Sequence, residues 1–190
     1  MDSQEQKIKL KDPLLWCDCE MTGLNFLNND QIIEIATLLT DGELTQVIKG
    51  PELIIQAPKE LLESMDEWCT NTHKGSGLYD KVLKSEVTLQ MAEEQVIKFL
   101  KDNGIEQKEA LLAGNSIHAD MKFIQKQMPN LYNFLHYRLV DVSTVKELTK
   151  RWNPEILKKA PVKKGGHRAL DDILESIEEL KFYRKEVFKI

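Results

Sequence analysis

Leu14-Leu15-Trp16-Cys17-Asp18-Cys19-Glu20, closed by Thr22-Gly23, is the stretch on which the reading of this chain turns. A short apolar run ending in a turn signal predicts a strand over 14–19. The two-residue alternation of a strand puts Leu14, Trp16, Asp18 and Glu20 on one face and Leu15, Cys17 and Cys19 on the other. Asp18 and Glu20 therefore point the same way from a strand's C-terminal end, where α/β proteins tend to keep their sites. Surface strands carry isolated Asp-x-Glu pairs often; this one is delivered by an apolar strand.

Working outward, Ile32 to Thr40 is β-rich, Asp41-Gly42 is a hairpin signal, and Thr45 to Ile48 returns, with Glu52 to Gln56 extending the sheet beyond Pro51. From Lys59 the pattern turns helical through Leu61, Leu62 and Met65, ending before a loop at His73-Lys74-Gly75-Ser76-Gly77. Thr88 caps a helix whose apolar face is Met91, Ala92, Val96, Phe99 and Leu100, and Gly104 stops it. Ala110 to Ala113 reads as a buried strand broken by Gly114-Asn115-Ser116. Asp120 then opens a helix that Pro129 ends. Tyr137 to Val142 is a further strand, with Ser143 or Thr144 capping the helix after it. A basic loop, Lys158 to Gly166, leads to a last helix starting around His167 and running through Leu170, Ile173, Leu174, Ile177 and Leu180. The order predicts an α/β fold: a mixed sheet, an antiparallel meander plus parallel strands, flanked by helices. Residues 1–12 read as a flexible segment and 13–190 as one domain.

The chain has 190 residues, 42% apolar and 30% charged, with a net charge of −5. That suits one soluble core, and no apolar run approaches the roughly 20 residues that cross a bilayer. The start, Met1 to Lys7, carries no apolar signal segment. Cys17, Cys19 and Cys69 fit a reducing compartment, and Cys17-x-Cys19 lacks the spacing and partners of a zinc site. These features point to the cytoplasm, with a mitochondrial form as the alternative. Negative net charge argues against a protein tracking long nucleic acid, though not against one holding one or two phosphates.

Three distant segments supply acids next to structural punctuation: Asp18 and Glu20, then Asp120, then His167 with Asp171 and Asp172. Carboxylates brought together repel and lose hydration unless cations lie between them. A carboxylate cluster beside a histidine suits metal-assisted phosphoryl transfer. Helical periodicity leaves Asp171 and Asp172 equivalent, and Asp141, a second strand-end acid, competes with Asp120.

The stretches Trp16 to Leu24, Met65-Asp66-Glu67-Trp68, Gly114 to Asp120, Asp141-Val142-Ser143-Thr144 and His167 to Ile173 resemble the motifs of DEDD-type 3′-to-5′ exonucleases with a histidine in the third motif. They are closer still to the oligoribonuclease family. The resemblance spans about Leu14 to Tyr183. It implies an RNase H-like fold, degradation of very short RNA (di- to oligonucleotides) to 5′-mononucleotides, and a homodimer. It also selects Asp172, five residues after His167, as the third-motif acid. By the same resemblance Asp18, Glu20 and Asp172 hold one Mg²⁺ or Mn²⁺, Asp18 bridges to a second that Asp120 supports, and His167 is the general base. Hard divalent ions favour carboxylate oxygen, and a pair roughly 3.5–4 Å apart can clamp an in-line displacement.

Substrate contacts also come by resemblance. Leu24 and Trp68 match the residues that wedge and stack bases, and His73, Ser116, Arg138 and Ser143 match a cap on the 5′ phosphate, with Tyr137 supplied by the second subunit. Each has a plainer alternative: Trp68 in a helix core, Leu24 in turn packing, Arg138 as a surface cation, His73 in a solvated loop. Short DNA is a second substrate class, because nothing identifies a 2′-hydroxyl contact. The rivals are an exonuclease trimming longer RNA or DNA ends and a nucleotide-binding module without chemistry.

Overall fold

The computed structural model describes residues 10–162 and 169–190. Its centre is a five-stranded mixed sheet ordered β3-β2-β1-β4-β5. The strands are β1 (Leu14–Met21), β2 (Ile32–Thr40), β3 (Val47–Ile54), β4 (Leu111–Gly114) and β5 (Leu139–Asp141). β1 pairs antiparallel with β2 and parallel with β4, while β4 pairs parallel with β5. This is the expected mixed sheet.

β1 is buried on both faces, and the alternation read from its sequence sorts its side chains into two cores. Leu15, Cys17 and Cys19 join one with Val96, Leu100, Phe123 and Ile124. Leu14 and Trp16 join the other with Val142, Ile173, Ile177 and Tyr183. Each such aliphatic side chain contributes roughly 1.5–3 kcal/mol on burial. Trp16, wholly buried, donates its indole N–H to Thr40 Oγ1 at 2.9 Å, so its one polar atom is satisfied.

Helices cover both faces: α1 (Lys59–Glu63), α2 (Glu67–Gly75), α3 (Leu78–Lys84), α4 (Leu89–Asp102), α5 (His118–Gln127), α6 (Pro129–Phe134), α7 (Val142–Trp152), α8 (Pro154–Leu157) and α9 (Ala169–Tyr183). A π-helical turn, Arg184–Phe188, follows α9. Thr88 caps α4 as expected, accepting from Met91 N at 3.1 Å.

Several local expectations are corrected. The turn after β2 is longer than two residues, because the Asp41 carboxylate gathers Thr45 N, Thr45 Oγ1 and Gln46 N into a wider loop. β3 continues through Pro51 as one strand, with its register against β2 shifting there, so that Gly50 and Pro51 together face Thr37. It is an edge strand, where a missing N–H costs no ladder bond. The segment 73–75, expected as loop, completes α2, whose N-terminus Asp66 caps by accepting from Cys69 N at 2.7 Å. Asp141, not Ser143 or Thr144, caps α7. Pro129 both ends α5 and opens α6, as proline can at a first helical position. Leu10, 2% exposed, already belongs to the core, so packing begins before residue 13.

Candidate active site

β1 outruns β4. Their pairing ends at Trp16 opposite Ala113, while β1 continues to Met21. At Gly114 the two strands still lie close: a Cβ there would lie 2.9 Å from the Cys17 carbonyl oxygen, so only glycine fits. Beyond that point the Cys19 N–H donates to Asp120 Oδ1 at 3.0 Å instead of to a strand. Asp120, in the first turn of α5, is thus drawn to the end of β1 from one side of the sheet and is 6% exposed. On the other side α9 packs against β1 and β2 with Asp172 in its first turn.

Electrostatics shows what this convergence does. Glu20 is pushed up to about 7, first by burial, then by the charges of Glu34, Asp172 and Asp120. Asp120 is pushed up to about 6 by burial, offset in part by the Cys19 N–H and by the nearby His118. Asp18 and Asp120 also push up the buried Cys19 thiol, after its bond to Cys17 and burial. Glu20, Asp120 and Asp172 therefore share one electrostatic neighbourhood at the C-terminal end of β1, and Asp18 stands two residues before Glu20 on the same strand. Asp172, rather than the more exposed Asp171, is the α9 acid that Glu20 feels. Among the described residues no three Asp, Glu, His or Cys side chains are already closed into a cation cage. Carboxylates held this near, with pKa values raised by their neighbours, fit divalent cations, whose charge would relieve the repulsion.

Glu34 was not visible as part of this group. It lies directly opposite Glu20 in the β1–β2 register. Like charges in that position oppose strand pairing, so the pair marks a place where something other than pairing is served. Only the register reveals it.

Asp141 does not compete with Asp120. Its Oδ1 accepts from Ser116 N at 2.9 Å and Ser143 N at 3.0 Å, and its Oδ2 lies 3.0 Å from His118 Nδ1. Ser116 and Ser143 are brought together, with hydroxyl oxygens 3.1 Å apart. Ser116 has a positive φ of 52°, a backbone held in an uncommon conformation. Asn115 binds this pair to α9, accepting from Ser143 Oγ at 3.0 Å and donating to Ser176 Oγ at 2.8 Å.

His73 is not part of that serine cluster. It is buried, with Nε2 2.9 Å from the Met21 carbonyl oxygen and Nδ1 4.0 Å from Glu20 Oε2, so it stands against the acids. Leu24 and Trp68 are 78% and 67% exposed, which excludes the core alternative for Trp68. Tyr137 is 70% exposed and stacks on His136, and the Arg138 guanidinium lies over the Tyr137 ring. His167 lies outside the described residues.

The exonuclease family profile RNase_T matches residues 15–180. E. coli exonuclease I in complex with a dA16 oligonucleotide superposes with a TM-score of 0.68 at 15% identity, covering 94% of this chain and 42% of that one. Cell-death related nuclease 4 gives 0.65 at 16%, covering 91% and 64%. Identities this low speak for the fold alone, and together with the family profile that fold defines a nuclease of the 3′-to-5′ exonuclease class. The mitochondrial oligoribonuclease of Mus musculus is 52% identical over 93% of this chain and 73% of its own length. The oligoribonuclease of Vibrio vulnificus (strain CMCP6) is 52% identical over 93% and 96%, and that of Arabidopsis thaliana 50% over 94% and 80%. The chain belongs to the oligoribonuclease family, whose activity is 3′-to-5′ exoribonucleolysis of short RNA.

Proposed function

We propose that the chain degrades di- to oligonucleotides of RNA to 5′-mononucleotides at the acids gathered where β1 outruns β4. Asp18, Glu20 and Asp172 would hold one divalent ion, and Asp18 with Asp120 a second. When bound, two such ions supply Lewis acidity to the attacking water and to the departing oxygen. Water oxygen bonds to the phosphorus of the terminal linkage and the bond to the penultimate 3′-oxygen breaks. The 5′ phosphate stays with the released nucleotide, and the departing 3′-oxygen takes up a proton from solvent to leave a 3′-hydroxyl on the shortened strand. His167 takes the water's proton, a role that suits imidazole near neutral pH, since the free histidine side chain has a reference pKa of about 6.5. Mg²⁺ and Mn²⁺ both satisfy an all-carboxylate donor set.

Leu24 and Trp68 offer apolar surface to bases without reading their identity; such stacking is worth on the order of 1–3 kcal/mol per base. Ser116, Ser143, Arg138 and, from a second subunit, Tyr137 would close on the 5′ phosphate. His73, beside Glu20, serves the acid end of this site in place of the cap role expected for it. The observation that carries the proposal is the convergence of acids where β1 outruns β4: the Cys19 N–H holds Asp120 there, and Glu20 is raised first by burial and then by Glu34, Asp172 and Asp120. Asp18→Ala should abolish hydrolysis of a dinucleotide while the protein still binds it. Retained turnover in that variant would reject the acid site.

A further inference from the structure

The segment between β1 and β2, residues 22–31, carries two exposed leucines, Leu24 at 78% and Leu27 at 76%. Ten residues without strand or helix would ordinarily be mobile, and a mobile loop loses ordering entropy on every binding event. This one is tied down from outside. Lys126 Nζ donates to the carbonyl oxygens of Phe26 and Asn28 at 2.7 and 2.8 Å. Gln127 Nε2 donates to the Asp30 carbonyl at 2.7 Å, and Gln127 Oε1 accepts from Ile32 N at 3.0 Å. The Phe26 ring packs edge-on against Phe123, with centroids 6.3 Å apart. Inside the loop, Asp30 Oδ2 accepts from Asn25 N at 2.8 Å, and a Cβ on Gly23 would lie 2.5 Å from that oxygen.

The ties on residues 26–30 come from α5, the helix that carries Asp120, while Gln31 at the end of the segment donates to the Gln56 carbonyl at 2.8 Å. From Asp120 to Lys126 is six residues, or about 9 Å of helix. We infer that Lys126 and Gln127 are positioning residues that fix Leu24 at a set distance from the acid cluster, so that α5 is the rod linking base wedge to acid end. The inference rests on Leu24 being the base wedge and goes beyond it by naming what holds the wedge in place. A lysine ammonium suits the task, because it can donate to two carbonyls at once and has no acceptor of its own.

The test compares Lys126→Ala, Lys126→Arg, Gln127→Ala, Leu24→Ala and Lys126→Ala/Leu24→Ala on a dinucleotide. Melting temperature and amide hydrogen exchange are measured alongside. Lys126→Ala should raise KM roughly 5–30-fold with kcat within about two-fold, because only ground-state positioning is lost. Amides of residues 25–30 should exchange faster, while those of β1 should not. Lys126→Arg, still able to reach the carbonyls, should recover most of the KM, and Gln127→Ala should move in the same direction as Lys126→Ala. The double variant should be no worse than Leu24→Ala alone, as expected for two residues acting through one contact. Additive effects, or a Lys126→Ala defect confined to kcat, would overturn the inference while leaving the wedge intact. A Leu24→Ala enzyme with unchanged KM would overturn the wedge reading, and the inference with it.

Discussion

Glu20 and Asp120 are reluctant acids. Pushed up to about 7 and about 6, they hold protons that a divalent ion must displace. Cation affinity should therefore fall as pH drops below about 7, with proton release on binding that grows toward pH 6; calorimetry in buffers of different ionisation enthalpy measures it. The stability consequence has a definite sign. Both folded values lie above the unfolded ones, so these groups favour the fold while protonated, and that contribution is lost as pH rises through about 6 and then about 7. Cation-free protein should melt lower at pH 8 than these groups would permit at pH 5, and Glu20→Gln should flatten the difference. His167→Ala should cost roughly 10²–10⁴ in turnover with cation affinity nearly intact, if the residue is the base. Alternation alone exposed the shared direction of Asp18 and Glu20, because a strand has one rule for where side chains point. Glu34 and the acid-side placement of His73 stayed hidden, since each depends on a register or a helix end that no local pattern encodes.

Trp68 and His73, two of the proposed site residues, ride on α2, so its cap should matter to binding as well as to stability. Asp66→Ala removes the cap of α2, which bears Trp68 and His73, and should cost roughly 1 kcal/mol in urea unfolding while raising KM. Gly50 in β3 faces Thr37 and Phe99 so closely that a Cβ would lie 2.6 Å from Thr37 Oγ1 and 2.9 Å from the Thr37 backbone oxygen. Gly50→Ala should destabilise by roughly 1–3 kcal/mol, read from the same unfolding curves, with cation affinity unchanged. At this scale the sequence was legible where one residue decides, as Thr88 does for α4. It misled where two signals overlapped. Ser143 and Thr144 look like caps, yet Asp141 precedes them at the end of a strand and captures the Ser143 amide. Glycines at 75 and 77 suggested a loop over the last turn of a helix.

Taken whole, the molecule combines the acids at the end of β1 with exposed apolar side chains such as Leu24 and Trp68, and carries a net charge of −5. Such a body should not draw in long polyanions by general attraction. Rates should fall steeply from dinucleotide to a strand of about twenty nucleotides; equal rates would point to trimming of longer ends instead. The layered fold was readable from the order of periodicities, and both cores from the alternation in β1. The mismatch between β1 and β4 that draws Asp120 to the end of β1 was not, because it depends on where the β1–β4 pairing stops, which no local pattern encodes. Consider, then, two extra residues inserted between Gly114 and Asn115 so that the short strand keeps pace with the long one. A main-chain carbonyl would seal the notch, capture the Cys19 amide and evict the Asp120 carboxylate. Every reactive side chain would survive in the sequence, yet the chain would have been zipped shut into an inert plank.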